Sequence, residues 1–140
     1  MSTATQSRPA ASSSASQQSL EARVNDLVSY VRDGKIIEAI QEFYADDTQM
    51  QENNNPPTAG LPANVEREQQ FVASVKQWKS LNVETVAVDA KRNRSVVQSN
   101  FSFENQQGQV VNYDQVAVQQ WRDGKIVHEK FYYDSAPAKA

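Results

Sequence analysis

Two hydrophobic periods divide this chain. Up to about Trp78 the apolar positions recur every three or four residues, and beyond Leu81 they alternate. Leu20, Val24, Leu27, Val28 and Val31 predict a first amphipathic helix, with Ser19 as its N-cap and Gly34 as its stop. Ile36, Ile37, Ile40, Phe43 and Tyr44 predict a second, ended by Asp46-Asp47, and Thr48–Glu52 reads as a short extended piece. The run Asn53-Asn54-Asn55-Pro56-Pro57-Thr58-Ala59-Gly60 is a loop, because paired prolines lack donors and asparagine favours turns. A third helix starts near Pro62 or Asn64 and carries the stripe Val65, Phe71, Val72, Val75 and Trp78. Turns at 91–94, 106–108 and Asp123-Gly124 then separate four strands, roughly 81–90, 95–105, 109–121 and 125–134. Asp-Gly between alternating runs is a strong hairpin signal. Helices followed by a strand meander predict an α+β domain over residues 20–135, with the helices covering one face of an antiparallel sheet.

The ends have another character. Residues 1–19 are mostly Ser, Ala, Thr and Gln, a composition that cannot bury enough apolar surface to offset chain entropy, so a disordered tail is expected. Residues 136–140 form a short C-terminal tail. No apolar run approaches the ~18 residues of a membrane span, and cysteine is absent, which removes disulfides and thiolate chemistry and fits a cytoplasmic location. One histidine makes a His-rich metal centre a poor reading. Seventeen acids against fourteen bases, net −3, argue against nucleic acid as a partner. The basic tip Lys91, Arg92 and Arg94 lacks aromatic stacking partners and reads as a solvated turn. No nucleotide, flavin or metal motif occurs, so no bound cofactor is expected.

The order helix, helix, short strand, helix, four-stranded meander resembles the nuclear transport factor 2-like superfamily, in particular its SnoaL-like members. Phe43-Tyr44-Ala45-Asp46-Asp47 stands before the short strand, Asp123-Gly124-Lys125-Ile126 before the last strand, and Phe131-Tyr132-Tyr133-Asp134 closes it. The resemblance covers Leu20 to Asp134. It implies a cone-shaped, cystatin-like α+β barrel whose curved sheet wraps a helix, with a ligand pocket at the open mouth and a dimer through the outer sheet face. The superfamily holds isomerases, epoxide hydrolases, cyclases, dehydratases and protein-binding modules, so the fold does not settle the chemistry.

Alternation splits the last strand into two rows. By the resemblance, Val127, Glu129, Phe131 and Tyr133 face the cone, and Ile126, His128, Lys130 and Tyr132 face outward, where a second copy would cover them. Phe131 occupies the position of the catalytic aspartate of cyclases and epoxide hydrolases and cannot move a proton. Glu52 falls where ketosteroid isomerases carry a general-base aspartate. The tyrosine of their oxyanion hole maps near Leu27 or Val28, with Tyr30 on another side of the helix. The second carboxyl maps near Val116, with Asp114 two residues away on the same face. Glu129, pointing inward, needs a partner or a function, with Asn100, Gln98, Tyr133 or a ligand as candidates. If it shares a cavity with Glu52, repulsion raises one of the two pKa values. Phe101, Phe103, Phe131 and Tyr133 are the expected aromatic lining. Asn54 and its neighbours are either amide donors at the rim or turn formers. Three readings follow: a pocket for an apolar or amphipathic small molecule; a cofactor-free enzyme using Glu52 with Glu129 or Asp114; and a homodimeric association module using the outer row.

Overall fold

Three helices and a six-stranded sheet make up residues 19–134, the part of the chain that the computed structural model describes; the expected tails, apart from Ser19, lie outside it. Helix α1 (Leu20–Arg32) starts where Ser19 Oγ accepts from the Ala22 amide at 3.0 Å, and stops at Asp33 and Gly34, whose φ is +76°. Helix α2 (Ile36–Phe43) buries Ala39, Ile40 and Phe43. Strand β1 (Tyr44–Glu52) follows without a break. Asp46 and Asp47 therefore do not end a helix at a turn; they lie exposed on the strand while Tyr44, Ala45 and Thr48 are buried. After the asparagine turn come β2 (Thr58–Ala59) and helix α3 (Leu61–Ser74), entered through Gly60 at φ +92°. Strands β3 (Val75–Asp89), β4 (Arg94–Asn105), β5 (Val110–Arg122) and β6 (Lys125–Tyr133) complete the chain.

β3 begins six residues earlier than the expected 81, and Val75 and Trp78 belong to it rather than to the helix. The reason is lateral: Trp78 lies opposite Phe103 on β4, and its ring packs edge-on to those of Phe71, Phe101 and Phe103. Cross-strand aromatic packing overrides a helical spacing that Val75 and Trp78 also happen to satisfy.

The strand order is β2-β1-β6-β5-β4-β3. The meander β3 to β6 is antiparallel, as expected, but β1 joins β6 in parallel, so the sheet as a whole is mixed. Asp123 (φ +52°) and Gly124 (φ +76°) form the β5–β6 hairpin, both in the left-handed region that a primed turn requires. The core gathers Val24, Leu27, Val28, Ile40, Phe43, Met50, Trp121 and Ile126 between the helices and the inner sheet face. Each such side chain contributes roughly 1.5–3 kcal/mol by leaving water. Arg23 ties α1 to the hairpin, donating to the Gly124 carbonyl at 2.8 Å and lying 4.3 Å above the Phe43 ring.

The strict alternation expected for β6 is broken. Gln120 pairs with His128 but Trp121 pairs with Ile126, so Val127 is an extra residue, a β-bulge. Ile126 therefore turns inward and is fully buried, and Glu129, three residues on, is also buried. Ile126 does not belong to the outer row; His128, Lys130 and the exposed Tyr132 do.

Asn64 anchors the start of α3. Its side-chain amide donates to the carbonyls of Thr58 at 2.9 Å and Gly60 at 2.8 Å, and the residue is fully buried. Asn64→Ala removes these donors and is expected to cost about 1–3 kcal/mol in urea unfolding; a loss below about 0.5 kcal/mol would show that the bonds add nothing net.

Candidate functional site

Between the helices and the inner sheet face lies a cavity of about 500 Å³. Leu27, Val28 and Ile40 line it from the helices, and Leu81, Val97 and Ala117 from the sheet. Against this apolar wall stand Tyr44 at the start of β1, Glu68 on α3, Gln119 on β5 and Glu129 on β6.

Glu129 sits in a row of inner-face residues paired directly across strands: Met50 opposite Glu129, Glu129 opposite Gln119, Gln119 opposite Ser95. Three of the four are polar, and their bonds run in one direction. The Trp121 indole N–H can only donate, and it donates to Ser95 Oγ at 2.9 Å. The Ser95 hydroxyl then donates to Gln119 Oε1 at 2.6 Å, which leaves Gln119 Nε2 to donate to Glu129 Oε2 at 2.7 Å. The other carboxyl oxygen, Oε1, shares a hydrogen bond with the Tyr44 hydroxyl.

Burial drives the Glu129 pKa up, and the neighbouring Glu68 adds to the rise. The bonds from Tyr44 and Gln119 and the charge of Arg67 oppose it, leaving the value at about 7. Burial, then Glu129, holds the Tyr44 hydroxyl well above the ordinary tyrosine value. Glu68 is also raised, chiefly by burial; the Arg67 guanidinium, 4.0 Å away, offsets part of this and Glu52 adds to it.

The expected site residues are thus divided. Phe101 and Phe131 line the cavity beside Glu129. Phe103 does not: it is buried behind them against Phe71 and Trp78. Glu52, at the end of β1, is not a cavity residue. Its carboxylate is taken up by an ion pair with Arg67 and by a hydrogen bond from the Tyr133 hydroxyl. Tyr133 and Asp114 border a second depression of about 550 Å³, and Asp114 and Val116 fall in the outer row of β5, away from Glu129. Asn100 and Gln98 also face outward, where they bond Asn82 and Thr85, so neither partners Glu129. Asn54 is exposed and accepts from Lys130 at 3.4 Å, while its neighbour Asn53, at φ +50°, caps Tyr133; the asparagines are turn formers. The carboxyl that shares the interior with Glu129 is Glu68, not Glu52.

Tyr44, Glu68 and Gln119 were not among the site residues expected from sequence, Tyr44 having been read as part of the second helix. Glu68 interrupts the apolar spacing of α3 between Val65 and Phe71, and Gln119 stands between Ala117 and Trp121 in the inner row of β5. A polar residue on an otherwise buried face was the signal in both cases.

The family model for the SnoaL-like domain matches residues 24–129, most of the chain. The chain belongs to the SnoaL-like domain family. No curated protein matches it in sequence. Among solved structures, this SnoaL-like domain is similar to a provisionally named SnoaL-like polyketide cyclase from Mesorhizobium loti: TM-score 0.70, 21% identity, 81% of this chain and 98% of that one. A nuclear transport factor 2-like protein of unknown function from Burkholderia pseudomallei aligns with TM-score 0.71 at 12% identity, covering 86% and 94%. An LEH-like epoxide hydrolase from M. tuberculosis aligns with TM-score 0.66 at 10% identity, covering 84% of both chains. At such identities the likeness establishes the fold alone. Among the described residues no helix of the SnoaL-like domain is long and apolar enough to cross a membrane, and no three His, Asp or Glu residues are grouped to hold a metal.

Raising the Glu129 pKa from 4.5 to about 7 makes ionisation harder in the folded state than in the unfolded one. The stability it contributes is complete below pH 4.5 and is lost as pH rises to about 7. Glu129→Gln has no such dependence. Between pH 5 and pH 8 the wild type is expected to lose roughly 2–3 kcal/mol relative to this variant in urea unfolding; parallel curves would mean that Glu129 titrates normally.

Proposed function

We propose that this SnoaL-like domain binds an apolar or amphipathic small molecule inside the cone. The observation that carries this reading is the cavity itself, whose walls are mainly aliphatic and aromatic and whose polar lining includes Tyr44, Gln119, Glu68 and Glu129, with Arg32, Asp33 and Lys79 also on its wall. Its volume suits a guest of one or two fused rings, and a few polar groups on an apolar wall are what orients such a guest. In the same proposal, His128, Lys130 and Tyr132 on the outer sheet face meet a second copy of the chain.

Ala117 lies mid-sheet, opposite Val97 and Phe131, and leaves room that a larger residue would fill. Ala117→Phe is expected to weaken binding of a fluorescent naphthalene probe at least about tenfold, the loss of one well-filled subsite. Equal affinity in the two proteins would place the probe elsewhere.

A second reading, a cofactor-free proton-transfer enzyme, is favoured by Glu68. Its carboxyl lines the cavity with a raised pKa, as a general base working near neutrality requires. Glu52, held by Arg67 and Tyr133, is the weaker candidate. On a panel of enolisable ketones, Glu68→Gln is expected to lower turnover by about a hundredfold or more and Glu52→Gln by far less. No turnover in the wild type, or equal losses in both variants, removes this reading.

A further inference from the structure

One contact in the cavity can run in either direction, and the row of bonds that leads to it runs toward Glu129. From Trp121 to Glu129 Oε2 the bonds run one way: the indole N–H, which can only donate, donates to Ser95 Oγ, the Ser95 hydroxyl donates to Gln119 Oε1, and Gln119 Nε2 donates to Glu129 Oε2. The chain of donors ends at Glu129. Its second oxygen meets the Tyr44 hydroxyl, and both residues line the cavity. When Glu129 is ionised it can only accept, so Tyr44 donates to it and turns a lone pair toward the cavity. When Glu129 is protonated, Oε2 still accepts from Gln119, so the acid proton lies on Oε1 and is donated to Tyr44 Oη. The phenolic proton is then free to point into the cavity.

We propose that Tyr44 is the polar contact for the guest, that Glu129 sets whether it donates or accepts, and that the guest carries a carbonyl oxygen for it to donate to. The proposal rests on the pocket reading above and names the chemistry of its occupant. A hydroxyl in an apolar wall is costly without a partner, and an apolar molecule with a carbonyl satisfies it at a single point.

The groups that bear on Glu129 come from three sides. Tyr44 of β1 and Gln119 of β5 bond it directly. Glu68 and Arg67 of α3 act on it through charge, Glu68 favouring the protonated form and Arg67 the ionised one. Burial outweighs them and brings the changeover to about pH 7, within reach of experiment. Tyr44 itself keeps its proton throughout, since its own ionisation is pushed far above the ordinary value.

The test uses the full chain and two probes of one shape, 2-acetylnaphthalene and 2-isopropylnaphthalene, with affinities measured by fluorescence at pH 5.5 and pH 8.5. The ketone is expected to bind wild type about tenfold more tightly at pH 5.5, the worth of one good hydrogen bond. The hydrocarbon should bind equally at both. Glu129→Gln should hold the tight ketone affinity at both pH values, because its amide oxygen accepts from Gln119 and its amide nitrogen donates to Tyr44, as the protonated acid does. Tyr44→Phe should bind the ketone weakly at both pH values and leave the hydrocarbon unchanged. Hydrocarbon binding with a pH-independent ketone affinity in wild type overturns the proposal while leaving the pocket reading intact. So does a folded Glu129→Gln protein that binds the ketone as weakly as Tyr44→Phe. Failure of both probes to bind wild type overturns the pocket reading and the proposal together.

Discussion

A carboxyl group buried in a wall of aliphatic side chains is the constraint around which this domain is arranged. Glu129 is 3% exposed and faces a cavity lined by Val97, Ala117 and Phe131. Without partners, an ionised carboxylate there would cost several kcal/mol. The sheet supplies the partners by register: Ser95, Gln119 and Glu129 fall side by side on β4, β5 and β6, each bonded to the next. A slip of one residue in either pairing would turn Gln119 or Glu129 to the outside and bring an outer-row residue into the core. The same bonds that satisfy the acid therefore specify how three strands are aligned. The bulge at Val127 belongs to this arrangement, because it lets Ile126 seal the core beneath α1 and α2 while Glu129 still reaches Gln119.

Rings frame the cavity rather than fill it: Phe71, Trp78, Phe101 and Phe131 line it. Phe71, Trp78, Phe101, Phe103, Tyr113 and Tyr133 form a ladder of ring contacts at the α3 and β3–β4 end, with centroids 5.2–6.4 Å apart. At the other end, Phe43 and Tyr30 meet edge to face 5.1 Å apart under α1. Between them the sheet presents Ser99 and Ala117, side chains too small to reach the helices. Large residues at both ends and small ones in the middle make a chamber rather than a solid core.

Much of the architecture was legible because it follows from local rules. Asp123-Gly124 marked its hairpin, and Ser19 and Gly34 marked the ends of α1. The misreadings arise where one element acts on another. Val75 and Trp78 satisfy a helical stripe, and only the rings facing them across the sheet decide for a strand. The bulge at Val127 leaves no mark in β6, since Lys125 to Tyr133 alternates plausibly without it. It is a property of the pairing with Trp121, and it moved Ile126 from the outer row to the core. Positions carried over by resemblance fared unevenly for a related reason. Glu52 matches a motif at the end of β1, but its environment is set by Arg67, fifteen residues away on α3.

Arg67 also explains why two neighbouring glutamates differ in chemical character. It pairs closely with Glu52, whose carboxylate also accepts from Tyr133, while Glu68 Oε2 is 4.0 Å from the same guanidinium nitrogen. Successive residues on a helix point about 100° apart, so Arg67 and Glu68 cannot face the same way. Arg67 faces the end of β1 and neutralises Glu52 there, and Glu68 turns into the cavity with only part of that charge to offset its burial. A single cation thus ties up one carboxylate and leaves the other, on the cavity wall, only partly compensated. The asymmetry reaches Glu129 as well: Glu68 raises its pKa and Arg67 lowers it, two opposing charges added to a balance that burial dominates. The directions that Arg67 and Glu68 take from α3, one toward the end of β1 and one toward the cavity, rather than residue type, set the two carboxylates apart.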